Sequence, residues 1–216
     1  TRAWATLAAC TGQAVRIAPA LMNDPVVDCV KLLNQLGAHA NRDDGAVHVA
    51  AGTPLGTPDK GLHVGDSSWN FYLALGHYLG RPSRTKFTGG AALKLADLSA
   101  TRRFLPLMGA RLVHVVPKSD GFPVRIECSG GLPGKGVFPA DAPVELAEGI
   151  MLAAPSYERA ITLDLSAMPE RALAFARILP VLNAAGADVR REGDVLHFQP
   201  CALSIPSEPT LPVEPE

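Results

Sequence analysis

A chain of 216 residues and 22.7 kDa, 47% of them hydrophobic, can bury a substantial core, and its 20 Gly and 19 Pro suit many short loops. The formal charge is −1 with both signs scattered, which leaves no electrostatic footprint for nucleic acid or an anionic membrane. No apolar run is long enough to span a bilayer and no secretory leader is read. The four cysteines show no C-x-x-C spacing, which fits free buried thiols in a reducing cytoplasm.

The elements follow in chain order. A short helix over residues 3–9 and a strand over 14–17 come first. Then Val27, Val30, Leu33 and Leu36 line one face of a helix over 24–36, with Asn23-Asp24-Pro25 as its capping side chain and first-turn proline. Gly37 ends that helix as a left-handed cap, and a turn at Asp43-Asp44-Gly45 leads into a strand over 47–49. An extra strand at 62–64 precedes a helix over 69–79 and a strand over 83–87. After these come a helix over 98–108, strands over 111–116 and 123–127, and a turn at Ser119-Asp120-Gly121 between them. A further strand over 135–138 opens the last third. A helix over 144–153, a strand over 160–163, a helix over 169–184 and a hairpin of 188–190 with 195–198 complete it. Pro106 and Pro180 fall inside predicted helices, so each should kink or tighten the last turns.

One module is written three times in this list. Helical runs close on Leu36-Gly37-Ala38, Met108-Gly109-Ala110 and Ala185-Gly186-Ala187, and each leads into a hairpin. The glycines recur at intervals of 72 and 77 residues, the size of a small α/β unit. The expected fold class is α/β: three units of about 1–60, 61–133 and 134–202, with sheets facing outward around buried helices. The helices that end at Leu36, Met108 and Ala184 are expected inside, since the run over 173–182 is apolar nearly all round. Four prolines at every third position from Pro206 predict that 203–216 is an extended, loosely held tail.

Four segments carry a resemblance. Thr1-Arg2-Ala3-Trp4-Ala5-Thr6-Leu7-Ala8-Ala9 resembles the Asn-Arg-Ala-Leu-Leu-Leu-Ala-Ala-Leu run of 5-enolpyruvylshikimate-3-phosphate synthases, and residues 24–38 resemble that family's Ser-Asp-Asp-x-x-x-Met-x-x-Ala-Leu-x-x-Leu-Gly-Ala helix. Residues 65–72 stand where the family has Gly-Asn-Ala-Gly-Thr-Ala-Met-Arg, and Ile150-Met151-Leu152-Ala153-Ala154-Pro155 is similar to its Leu-Leu-Met-Ala-Ala-Pro. The resemblance implies one of the two domains of an enolpyruvyl transferase, an inside-out barrel of three α/β units. The partner it implies is a second such domain, in the parent chain or as a separate subunit, that closes over a small anionic ligand and supplies most of the acid and base groups. It also implies that residues 203–216 are the segment crossing between the domains.

The family's ligand-binding motifs are altered here. Its Ser-Ser-Gln is replaced by Pro143-Val144-Glu145, where a carboxylate repels the phosphate that an amide would hold. Its Gly-x-x-Arg-Met-x-x-Arg-Pro reads Gly89 to Asp97 with neither arginine, and the arginine after Ala-Met has become Tyr72. Arg2 remains at a matching position, with Lys94 as a nearby cation; a solvated arginine at the chain end is the bland alternative. Asp66-Ser67-Ser68 either offers hydroxyls and backbone N–H groups to an anion or simply caps a helix. Glu145 lines the same site or is an exposed first-turn carboxylate favoured by the helix dipole. No metal site is read, and the Gly89-Gly90 and Gly130-Gly131 pairs match no phosphate loop or dinucleotide fingerprint, so no cofactor is expected. Two functions remain open: the substrate-binding half of a divergent enolpyruvyl-transferase-like protein that is not competent alone, or a non-catalytic scaffold or ligand-binding module with an eroded anion site.

Overall fold

The computed structural model describes residues 1–56 and 61–211. Its elements are α1 (Arg2–Thr11), β1 (Val15–Ile17), α2 (Asp24–Gln35), β2 (Ala40–Asp43), β3 (Ala46–Val49), β4 (Leu62–His63), α3 (Ser68–Leu79), β5 (Pro82–Thr88), α4 (Ala91–Lys94), α5 (Ser99–Phe104), β6 (Ala110–His114), β7 (Val124–Ser129), β8 (Lys135–Val137), α6 (Val144–Ala153), β9 (Ile161–Asp164), α7 (Arg171–Ala184), β10 (Val189–Glu192) and β11 (Val195–Phe198).

Local chemistry sets the boundaries. The Asn23 side chain accepts a hydrogen bond from Val26 N at 3.1 Å, so one orphan donor at the start of α2 is satisfied. Gly37, Gly109 and Gly186 all have positive φ, 95°, 71° and 75°, and reverse the chain after each helical run. The first hairpin turns on Asp44 and Gly45, both at positive φ, the backbone of a type I′ turn whose twist matches the strands it joins. Pro106 removes a helical donor, and after Phe104 the chain tightens into a 3₁₀ turn over Leu105–Met108.

Among the described residues three separate sheets form, ordered β1-β3-β2, β4-β5-β7-β6 and β8-β9-β11-β10. In the second and third, the edge strand lies parallel to its neighbour and the other pairs are antiparallel. The first has the same order without that leading strand, among the described residues. This is a mixed α/β architecture of three sheets and a set of helices, matching the expected class.

The helices inside the molecule are not those expected there. Every residue of α1 from Ala3 to Ala9 is buried, as is every residue of α3 from Asn70 to Leu79, and α6 is buried at Val144 and from Leu146 to Leu152. The Gly-Ala-terminated helices instead bury one face: α2 through Val26, Cys29, Val30, Leu32 and Leu33, and α7 through Ala174, Phe175, Ile178, Val181 and Leu182. A helix enclosed on all sides must let other backbones come close, and the inner three carry the small residues that permit it. A Cβ on Gly76 would lie 2.1 Å from Gly149 O, and one on Gly149 would lie 2.1 Å from Tyr72 O. Phe71 anchors the core beyond this contact, with Phe87 and Phe122 edge-on at 5.1 and 4.9 Å.

Residues 203–211 contain neither helix nor strand, but they are not loosely held. Leu203 and Ile205 are buried, the Gln13 side chain bonds the backbone of both at 2.8 and 2.9 Å, and Arg16 N donates to Ser207 O at 2.7 Å. Proline spacing forbids regular structure without forbidding anchorage. The rest of that expectation, residues 212–216, lies outside the described residues.

Candidate functional site

The three inner helices start at one cleft. Thr1 to Trp4 at the head of α1, Ser67 to Trp69 at the head of α3 and Glu145 in the first turn of α6 line a cavity of about 480 Å³, together with Leu21, Arg177 of α7 and Leu211. Helix N-termini present unpaired backbone N–H groups and the positive end of the helix dipole, so three of them meeting at one cavity favour negative charge there.

Arg2 is a built part of this wall rather than a solvated end. Its Nη1 donates to Ser67 Oγ at 2.7 Å and to Asn70 Oδ1 at 3.2 Å, and its guanidinium lies 4.2 Å above the Trp69 ring. Asn70 is itself fixed by donating to Pro25 O at 3.0 Å. Ser67 occupies the N-cap position of α3, yet its side chain makes no capping bond. The helix-cap reading of that serine therefore gives way to one in which its hydroxyl receives Arg2. Glu145 is half-buried, and Ser68 Oγ donates to its Oε1 at 3.4 Å. The carboxylate stands in the first turn of α6, at the positive end of the helix dipole.

Of the six residues singled out in the sequence, the cleft brings together Arg2, Ser67, Ser68 and Glu145. Asp66 and Lys94 are exposed and do not line it: Asp66 Oδ1 accepts from Ala92 N at 2.9 Å, starting the short α4 that Lys94 closes. Tyr72, where the family resemblance would place an arginine, is buried, with its hydroxyl 2.7 Å from Thr101 Oγ1. Burial pushes that phenol up to about 12.

Sequence reading missed Glu148 and Arg177. Glu148, one turn after Glu145, is fully buried, and neither of its carboxylate oxygens has a hydrogen-bond partner among the described residues. Its counter-ion is the cleft-lining Arg177, Nη1 to Oε1 3.5 Å. Burial pushes the Glu148 carboxyl up to about 7; Arg177 opposes that, and the Glu145 carboxylate adds to it. A lone acid inside the apolar run over 146–152 was the available signal for Glu148. For Arg177 there was none, because its place depends on how α7 packs against α6. Trp4 and Trp69 also line the cleft, so its surface is part indole and part charge.

At the other end of the inner helices the surroundings are closed. Two cavities of about 20 and 10 Å³ share Thr6, Cys10, Leu73 and His77. Cys10 Sγ lies 3.4 Å from His77 Nδ1, but burial pushes the thiol up to about 12 and the imidazole down to about 4, so the pair is neutral and carries no activated nucleophile. Among the described residues no group of three His, Cys, Asp or Glu side chains could hold a metal ion, and no helix is long and apolar enough to cross a membrane.

The fold and cleft together define a class: a domain of three sheet-bearing α/β units around three buried helices whose N-termini meet at a ligand-sized cavity. Among solved structures, that fold is found in half of an EPSP synthase. The chain is similar to the 2.37 Å structure of EPSP synthase from Acinetobacter baumannii, with a TM-score of 0.72 and 20% identity over 96% of this chain and 48% of that chain. A second structure of EPSP synthase from Acinetobacter baumannii matches with a TM-score of 0.72 and 19% identity, over 96% of this chain and 47% of that one. The chain spans about half the length of these structures. No family model and no curated protein matches the sequence.

Proposed function

We propose that this chain is the substrate-binding half of a divergent enolpyruvyl-transferase-like protein, not competent by itself, acting on a ligand other than phosphorylated shikimate. The observation that carries this reading is Glu145: it stands in the first turn of α6 inside the cleft and takes the Ser68 hydroxyl, where a phosphate-binding site needs donors alone. A second domain, in the same parent chain or as a partner subunit, would close the cleft and supply the proton-transfer groups. Arg2, Ser67 and Ser68 serve as binding groups, and the two indoles as apolar walls. Asp66 and Lys94 join them only if that partner brings a ligand across to α4.

A specific observation favours a second reading, a ligand-binding module without catalysis. The cations of the cleft are already engaged within the chain, Arg2 by Ser67, Asn70 and the Trp69 ring, Arg177 by Glu148.

Calorimetric titration with shikimate 3-phosphate tests the erosion of the site. The unmodified chain should show no measurable heat of binding. A Pro143→Ser, Val144→Ser, Glu145→Gln variant regains hydroxyl and amide donors and loses a repulsive charge; at about 1.5–3 kcal/mol for each charge-assisted hydrogen bond, it should gain at least about a hundredfold in affinity. Tight binding by the unmodified chain would overturn the reading.

A further inference from the structure

Each sheet shows one face to solvent, and the charges on the three faces differ. On the third sheet, cations meet acids one for one: Lys135 Nζ is 3.1 Å from Asp164, and Arg190 Nη1 is 3.0 Å from Glu192. On the first, Arg16 is 3.5 Å from Glu208 of the C-terminal segment. The middle sheet departs from this balance. Its register sets Arg84 of β5 and Arg111 of β6 opposite Glu127 of β7 from either side, and Lys86 of β5 opposite Arg125 of β7. Directly paired residues share a face, so four cations and one carboxylate stand together on it.

Glu127 cannot neutralise this set. Arg111 Nε donates to it at 2.5 Å and Arg125 Nε at 2.8 Å, while Arg84 Nε lies at 3.2 Å. One carboxylate thus orders three guanidiniums and cancels a single charge, and those hydrogen bonds, Arg111's first, keep its carboxyl below the ordinary range. Each guanidinium has five N–H donors, more than its contacts with Glu127 use. The side chains of Arg84 and Arg111 are 67% and 70% exposed, and Lys86 has no carboxylate within ion-pair distance among the described residues.

We propose that this face of the middle sheet is a docking surface for an acidic protein segment, an extended run with Asp or Glu at alternate positions. Three observations choose that partner. The arginines are already arranged around a carboxylate, the group they would receive. Alternate strand residues lie about 6.8 Å apart, which is also the spacing of alternate side chains in an extended peptide, so Arg84 and Lys86 match two successive acids. The face carries no Phe, Tyr or Trp on its outward positions, which removes the stacking platform that single-stranded nucleic acid uses.

Fluorescence anisotropy with a labelled peptide of alternating Glu and Ser, on the full chain, tests this. Binding should be present at low ionic strength and weaken steeply as salt approaches the physiological range. Arg84→Ala with Lys86→Ala should weaken it about tenfold, Glu127→Gln should hold or strengthen it, and Lys135→Ala with Arg190→Ala on the third sheet should leave it unchanged. Circular dichroism checks that each variant is folded. Absence of salt-sensitive binding, an equal loss in the third-sheet variant, or a preference for oligothymidylate over the peptide would each overturn the proposal. None of these residues lines the cleft, so the result is independent of the ligand titration.

Discussion

The two ends of the inner helices are built from the same three segments and behave as opposites. At their C-terminal halves, Gly76 and Gly149 bring α3 and α6 into backbone contact, and the two cavities beside Cys10 and His77 are water-sized, about 20 and 10 Å³. At their N-termini, bulky side chains hold the helices around a cleft of about 480 Å³ lined by Arg2, Trp4, Trp69, Glu145 and Arg177. The lesson is physical. Helix C-termini end among apolar side chains that exclude water, while the positive N-terminal ends collect carboxylates and hydroxyls that need space and solvent.

Breaking the closed end should have the largest effect. Gly149→Val drives a Cβ toward Tyr72 O, against which neither backbone can yield, so we expect a loss of about 3 kcal/mol or more in urea denaturation. A loss below about 1 kcal/mol would mean that the inner helices can slide apart, and the contrast between the two ends would fail.

The buried titratable group at each end gives the next test, with opposite signs. Glu148, near the cleft, is raised from its ordinary value to about 7, so the folded chain binds this proton more readily than the unfolded one. Its contribution is therefore full below pH 4.5 and is lost as pH rises through 7. His77, at the closed end, is lowered to about 4, so its contribution is full above pH 6.5 and is lost as pH falls toward 4. Each is worth on the order of 3 kcal/mol across its window, and between pH 4.5 and 6.5 the two slopes oppose each other. Stability profiles should show Glu148→Gln more stable than the parent at pH 8, with a curve that only falls on acidification. In His77→Gln the acid-side loss should shrink. Parallel curves for parent and Glu148→Gln would show that this carboxylate is not held in its neutral form.

The smallest effect belongs to the rim. Asn23 caps α2 while lining the cleft, and Asn23→Ala should cost about 1 kcal/mol in thermal or urea unfolding, leaving the rest of the cleft in place. A loss of several kcal/mol would show that the open end depends on this cap as strongly as the closed end depends on its glycines.

Much of the fold could be read locally. The helix–Gly–Ala–hairpin module, the Asn23 cap, the Asp44-Gly45 turn and the tightening at Pro106 all depend on neighbours within a few residues, and each is found where the sequence places it. The inner and outer helices were confused because apolar content does not separate a helix buried on one side from one buried all round. The alanines of α1 and the glycines of α3 and α6 were the better sign, since close backbone approach needs small side chains. The candidate cleft was legible in part: Ser67, Ser68 and Glu145 each stand at a recognisable helix start, and Arg2 lies in the first turn of α1.

Sequence alone thus determined the repeat, its turns and caps, and the acids and hydroxyls at helix N-termini, because these arise from short-range backbone chemistry. Only the tertiary structure decided that Arg2 meets Ser67, that Arg177 answers Glu148, and that Arg84, Arg111 and Arg125 gather on one carboxylate. Those pairings join residues on different helices and strands. Helix packing and strand register set them, and neither is encoded in any single segment.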